Sequence, residues 1–209
     1  LNLMREAREA ILNDNWIADD FTISDPSGWD ITNFVFYAYQ TGSTTTSTMT
    51  GIHFLIYDGV PGDPGTSVVW GDVSTDRLSS TNWTDIYRAT ETTSGSTLRP
   101  IMENTCDVSF HLDAGTYWVV WQTDGSLGSG PWAPPITLTG ETTTGNGMQT
   151  LAGLSSWGSA LDSGTNTVQG FPFVIYGSPP IPVSNWALGI GLLLISGFIV
   201  IRFRKKIMA

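Results

Sequence analysis

TCDVSFHLDAGTYWVVWQTDG, residues 105–125, decides the fold class. Its first half alternates: Cys106, Val108, Phe110 and Leu112 fall on one side, and Asp107, Ser109 and His111 on the other. That is the period of a strand with one buried and one wet face. Asp113-Ala114-Gly115 supplies turn chemistry, and the run from Gly115 to Thr123 is almost continuously apolar, as a central strand should be. No helical period fits either half.

The same grammar extends in both directions. Short runs rich in Val, Ile, Phe, Tyr, Trp and Thr predict strands at Trp16–Ile23, Ile31–Thr41, Gly51–Tyr57, Ser67–Gly71, Thr84–Thr92, Arg99–Met102, Thr105–Leu112, Gly115–Thr123, Gly147–Leu151 and Phe171–Tyr176. Asp25-Pro26-Ser27-Gly28, Asp58-Gly59, Pro61-Gly62-Asp63-Pro64-Gly65 and Asp124-Gly125 separate them as turns. Roughly 160 residues with this many strands suits one antiparallel β-sandwich and is too long for two. The single cysteine, Cys106, excludes an internal disulfide framework, so the core alone must hold the domain.

Beyond the β region the chain changes character. Ile181–Ala209 reads IPVSNWALGIGLLLISGFIVIRFRKKIMA: a polar Pro-containing stretch, an uncharged apolar run from Trp186 to Ile201, then Arg202, Arg204, Lys205 and Lys206. Ile181–Ile201 as a whole carries no charge, and at about 1.5 Å per residue that segment just spans a hydrocarbon core of about 30 Å. The cations after it predict a cytoplasmic C-terminus and place everything before Ile181 outside the cytoplasm. All 19 acidic residues precede the run, against Arg5, Arg8, Arg77, Arg88 and Arg99, which sets that part at −14 and the tail at +4. Such a surplus disfavours nucleic acid, whose phosphates need cations, and suits solubility outside a cell and divalent cations.

A secretory leader is required by that topology, yet Leu1–Leu12 carries Arg5, Glu6, Arg8 and Glu9. A hydrophobic leader segment does not contain those charges, so the expectation is a fragment whose true start is missing. Leu1, Met4, Arg8 and Ile11-Leu12 give a loose helical stripe, read as a short helix.

Two resemblances follow. The Pro-containing motif ending in Trp, the glycine-bearing apolar helix and the basic cluster resemble the C-terminal sorting signals read by exosortase-type peptidases, the PEP-CTERM and IPTL-CTERM class. Ile181, Pro182, Val183, Ser184, Asn185 and Trp186 look like a shortened Ile-Pro-Thr-Leu-Ser-Glu-Trp motif with Val at the third position. The resemblance implies a Gram-negative bacterium and a temporary anchor, cut near the motif as the protein passes to the surface or matrix. Ile17–Phe21, Trp29–Thr32, Phe34–Tyr39, Gly115–Val119, Leu127–Pro135 and Gln169–Gly177 resemble the jelly-roll sandwiches of secreted proteins that carry such tails. That implies a fold and a location, and no activity. The expected layout is an N-terminal segment over 1–15, an all-β ectodomain over 16–177, a Pro-rich linker and sorting motif over 178–185, a transmembrane helix over 186–201 and a basic cytoplasmic tail over 202–209.

Catalytic patterns are missing from the sequence. His53 and His111 each fall inside a predicted strand, where a histidine is more often a polar-face or core residue than a ligand. There is no Gly-x-Ser-x-Gly elbow, no His-Glu-x-x-His, and no lysine before Lys205 to follow a phosphate loop. A non-enzyme is expected. Calcium has better candidates in Asp19-Asp20, in Asp58 with Asp63 across a Pro/Gly loop, and in Asp72 with Asp76. The other reading of Asp58 and Asp63 is that they cap their own turns. For carbohydrate, which stacks on exposed rings, Trp132 in its Gly/Pro loop and Trp157 among Ser and Gly are the surface candidates. The competing reading packs both over the ends of the sandwich. Two functions therefore stand at this stage: a tethered, non-catalytic surface or matrix protein, and a carbohydrate-binding module, calcium-dependent or not, acting on envelope or extracellular polysaccharide.

Overall fold

The structure, a computed structural model, describes residues 15–89, 93–150, 153–162 and 164–180, with 190, 193–196, 198 and 202–203 of the C-terminal segment. Ten strands follow in chain order: β1 (Trp16–Ile23), β2 (Trp29–Ala38), β3 (Met49–Tyr57), β4 (Val68–Asp72), β5 (Ser80–Tyr87), β6 (Pro100–Leu112), β7 (Gly115–Gly125), β8 (Met148–Thr150), β9 (Gly158–Ser159) and β10 (Phe173–Ser178). They form two antiparallel sheets, one of six strands in the order β4-β3-β7-β1-β8-β9 and one of four in the order β10-β2-β6-β5. Successive strands change sheet at five points, between β1 and β2, β2 and β3, β4 and β5, β6 and β7, and β9 and β10. β1 pairs with β7 in the first sheet, while β2 pairs with β6 in the second.

The first corner is built by Asp25-Pro26-Ser27-Gly28. The Asp25 carboxylate accepts from the Ser27 amide at 2.9 Å, the Gly28 amide donates to the Asp25 carbonyl at 2.9 Å, and Gly28 takes φ +73°, which a residue without Cβ adopts freely.

The sheets pack face to face in a sandwich-like arrangement around one core. Ile17 and Ile23 of β1, Ile52, Phe54 and Ile56 of β3, and Val119 and Trp121 of β7 meet Ile31, Phe34 and Phe36 of β2 and Cys106 and Leu112 of β6. Rings dominate: Phe36 stacks on Trp121 at 5.0 Å, and Phe34 meets Phe54 at 5.1 Å. Cys106 is free and fully buried, and burial, followed by the charge of Asp76, pushes its thiol up to about 12. It serves as a small hydrophobe.

The six-stranded sheet is dry on its outer face too. Trp16, Ala18, Leu55, Trp118 and Val120 form a second cluster there, covered by Val60, Leu154 and Trp157. Trp118 and Trp121 point to opposite faces, and both are buried.

Two strand expectations need correction. Arg99–Met102 and Thr105–Leu112 are one strand, β6, since the polar Glu103-Asn104 does not break it. Asn104 is fully buried, yet its amide donates to the carbonyls of Phe36 and Met102 at 3.1 Å and its oxygen accepts from Thr81 at 2.7 Å. A buried amide with every group paired carries little penalty. The strand expected at Thr84–Thr92 lies earlier, at Ser80–Tyr87, as an edge strand whose outer rim tolerates Ser, Thr and Asn.

The chain divides into two compact units, Leu1–Ser178 and Pro179–Ala209. In the second, Ile190, 193–196, Phe198, Arg202 and Phe203 are helical. Among the described residues no helix is long and apolar enough to cross a membrane. The sorting motif Ile181–Trp186, together with Arg204, Lys205 and Lys206, lies outside the described residues, as do residues 1–14.

Candidate functional site

The side chains singled out from sequence are mostly occupied in holding the fold. Asp19 sits on the inner face of β1 at 6% exposure, accepting from the Phe171 amide at 2.6 Å and the Asp20 amide at 2.9 Å. Burial raises its pKa against those hydrogen bonds. Asp20 follows it on a strand, where consecutive side chains point to opposite faces, so the two carboxylates do not converge. Asp58 closes its own loop: its carboxylate accepts from the Ser67 amide at 2.6 Å, and its amide donates to the Ser67 carbonyl. Asp63 does likewise through its carbonyl, which takes the Thr66 hydroxyl at 2.8 Å. Among the described residues no group of three or more His, Cys, Asp or Glu is placed to hold a metal ion.

Trp132 is 6% exposed, because the chain on either side of it runs along the end of β2: Trp132 and Tyr39 exchange backbone hydrogen bonds at 2.9 Å. Its ring borders a cavity of about 20 Å³ shared with Asn15, Gln122 and Thr123, room for one water and not for a sugar. Trp157 is half-buried, donating to the Leu154 carbonyl at 3.1 Å and packing over the outer face of the six-stranded sheet beside Gly62. Neither ring stands free.

The histidines form acid pairs. His53 Nε2 lies 3.2 Å from Asp124 beside the register shift at Gly51 of β3, and His111 Nδ1 lies 2.8 Å from Asp30 at the first corner. Arg77 is held more tightly, with its guanidinium 2.6 Å from Asp72 and 4.9 Å above the Trp70 ring, which in turn stacks on Phe110 at 4.0 Å.

Asp72 illustrates how the surface acids carry stability. The Arg77 bond, then the amides and hydroxyls of Ser74 and Thr75, hold its carboxyl far below the usual range, and Ser27 and Thr165 lower Asp25 and Asp162. A depressed carboxylate contributes stability that is full above its unfolded value near 3.9 and is lost as pH falls. Asp19 has the opposite sign, since acid relieves its buried charge. Three lowered groups against one raised group predict that the melting temperature drops on acidification from about pH 5 towards pH 3. Asp72→Asn should flatten that slope, and equal slopes for variant and parent would remove Asp72 from the explanation.

What sequence reading missed is the outer face of the four-stranded sheet. With Phe34, Phe36, Cys106, Phe173 and Ile175 turned inward, alternation leaves the intervening residues outside. Pairing sets them in rows. Tyr176 lies beside Asn33 and Asn33 beside Asp107; two residues along β2, Val174, Val35 and Thr105 align; two further, Tyr37 stands beside Glu103. Tyr176 is 54% exposed, and Val35 at the centre only 8%, so flanking side chains lie over it. Burial, then the charge of Glu103 and the neighbouring Tyr176, raises the Tyr37 hydroxyl, which stays protonated at neutral pH. The signal was present in the alternation of Asn33, Val35 and Tyr37, but only the pairing of β10 with β2 brings Tyr176 to them.

No family of known proteins, no curated protein and no solved structure matches this chain.

Proposed function

We propose that this is an exported, non-catalytic surface or matrix protein: a jelly-roll sandwich tethered by one membrane helix over Trp186–Ile201 and released by an exosortase-type peptidase that reads Ile181–Trp186. The observation that carries the reading is the order of three segments at the end of the chain, a Pro-containing motif, an uncharged apolar run and a cluster of four cations. The nested pairing of β1 with β7 and β2 with β6 across two sheets supports the jelly-roll form. A compact unit that ends at Ser178, just before Pro179-Pro180, suits a domain held on a stiff spacer. Its acidic surplus fits life outside the cytoplasm.

Processing tests the proposal. In the native host the mature protein should end near Pro182–Trp186 and leave the membrane fraction without detergent. Exchanging Pro182 and Trp186 for alanine should trap an uncut, detergent-requiring form, because the apolar run is untouched. Peptides containing Arg202–Lys206 on the mature surface protein would show a permanent anchor instead. A reporter fused after Ala209 should read as cytoplasmic, and periplasmic activity from it would sink the topology.

A second reading, carbohydrate binding, is favoured by one observation: two tyrosines and two carboxylates share the open face of the four-stranded sheet.

A further inference from the structure

The outer face of the four-stranded sheet is dressed differently from that of its partner sheet. Loops and Trp157 cover the six-stranded sheet, whereas here Tyr176 remains 54% exposed and Asp107 is exposed beside it. The face repeats one combination twice. Tyr176 and Asp107 flank Asn33 in one row, and Tyr37 neighbours Glu103 in another, four residues along β2. At about 3.3 Å per residue the backbones of the two rows stand roughly 13 Å apart, and the side chains of Tyr37 and Tyr176 flank Val35 between them. Among the described residues no cation pairs with Glu103 or Asp107. The side-chain oxygen of Asn33, between Tyr176 and Asp107, is buried without a hydrogen-bond partner.

Each element of this arrangement selects a ligand. An aromatic side chain on a wet sheet face offers apolar area with a hydroxyl at its rim, which suits a ring having C–H faces and polar edges. A tyrosine face also attracts ammonium groups. Two uncompensated carboxylates favour a cationic partner, and they add to a chain whose 19 acids all precede the tail, so phosphate-bearing and uronate-bearing polymers are repelled. The two rows call for an extended ligand with a repeat.

We propose that this face docks a polysaccharide carrying free amino groups, with sugar rings on Tyr37 and Tyr176 and ammonium groups at Glu103 and Asp107. The proposal rests on the carbohydrate reading above and on the domain facing the cell exterior, but its test does not depend on processing. The full-length chain in detergent is titrated calorimetrically with a glucosamine hexamer, a glucose hexamer and a galacturonate hexamer, in mildly acidic buffer where the amines are charged.

The glucosamine hexamer should bind at least about tenfold more tightly than the glucose hexamer, and the galacturonate hexamer not measurably. Tyr176→Ala should weaken glucosamine binding about tenfold. Glu103→Gln, close in shape, should weaken it and reduce its dependence on salt, which guards against a loss of binding that merely reports misfolding. Asp63→Asn, in the β3–β4 loop, should leave it unchanged. No binding by any oligomer, equal binding of the glucose hexamer, or an Asp63→Asn effect as large as that of Glu103→Gln would each overturn the proposal.

Discussion

Trp121→Ala should remove about 3–5 kcal/mol of folding stability, most of what a domain of this kind possesses. The indole is 1% exposed on the inner face of β7. It stacks on Phe36 of the opposite sheet at 5.0 Å and meets Phe171 at 6.0 Å and Phe173 at 5.9 Å. One ring therefore joins β7 to β2, to β10 and to the segment leading into β10. Truncation leaves a void bounded by rings that are themselves fixed by further rings, so the site cannot collapse to fill it. Trp157→Ala is the comparison, because that ring is only half-buried over the outer face of the six-stranded sheet and should cost well under half as much. Urea unfolding followed by circular dichroism measures both, and equal midpoints for the two variants would refute this account of the core.

Gly71→Ala should be among the most damaging single methyls in the domain. Gly71 lies in edge strand β4 at φ +87°, and a Cβ there would stand 2.4 Å from the Phe54 carbonyl oxygen and 3.0 Å from the Leu55 Cα. Those are backbone atoms of β3, which cannot swing aside. Gly65 separates strain from collision, since its φ is +92° and nothing lies within 4 Å of the position a Cβ would take. Gly65→Ala should cost only the left-handed penalty, about 1–2 kcal/mol. Gly71→Ala should exceed that clearly and unpair β4 from β3. If the two variants melt together, the collision is not what makes Gly71 necessary.

The strands that sequence revealed best are those whose surroundings match their own pattern. β1 is found where Trp16–Ile23 places it, and β6 passes into β7 at Asp113-Ala114 as the residues require, there carrying the chain from one sheet to the other. Local reading falls short where distant residues change the surroundings of a local one. Glu103-Asn104 looks like an interruption until Thr81, Phe36 and Met102 satisfy the Asn104 amide. Trp132 looks like a loop ornament until the exchange of hydrogen bonds with Tyr39 places it indoors. Asp19 reads as a cation ligand because a charge entering a strand is unexpected. Its partner, the Phe171 amide, lies 152 residues away, and no local reading could supply it. The open face was hidden for the same reason, being assembled from β2, β6 and β10, three strands far apart in sequence.

The double burial of the six-stranded sheet creates an addressing problem. A strand that is apolar on one side only cannot slide by one residue, because every side chain would turn to the wrong face. Tyr117-Trp118-Val119-Val120-Trp121 is apolar whichever way it is turned and lies between two dry compartments, so hydrophobicity alone discriminates poorly between the correct alignment and its neighbours. Polar fixtures must carry the discrimination. Asp19 is placed to oppose one of the two slips: the shift that brings Ala18 to its position would offer the Phe171 amide a methyl in place of a carboxylate, while the shift that brings Asp20 there is left to the packing of the rings. The carboxylate that costs the fold something in burial acts as its alignment pin.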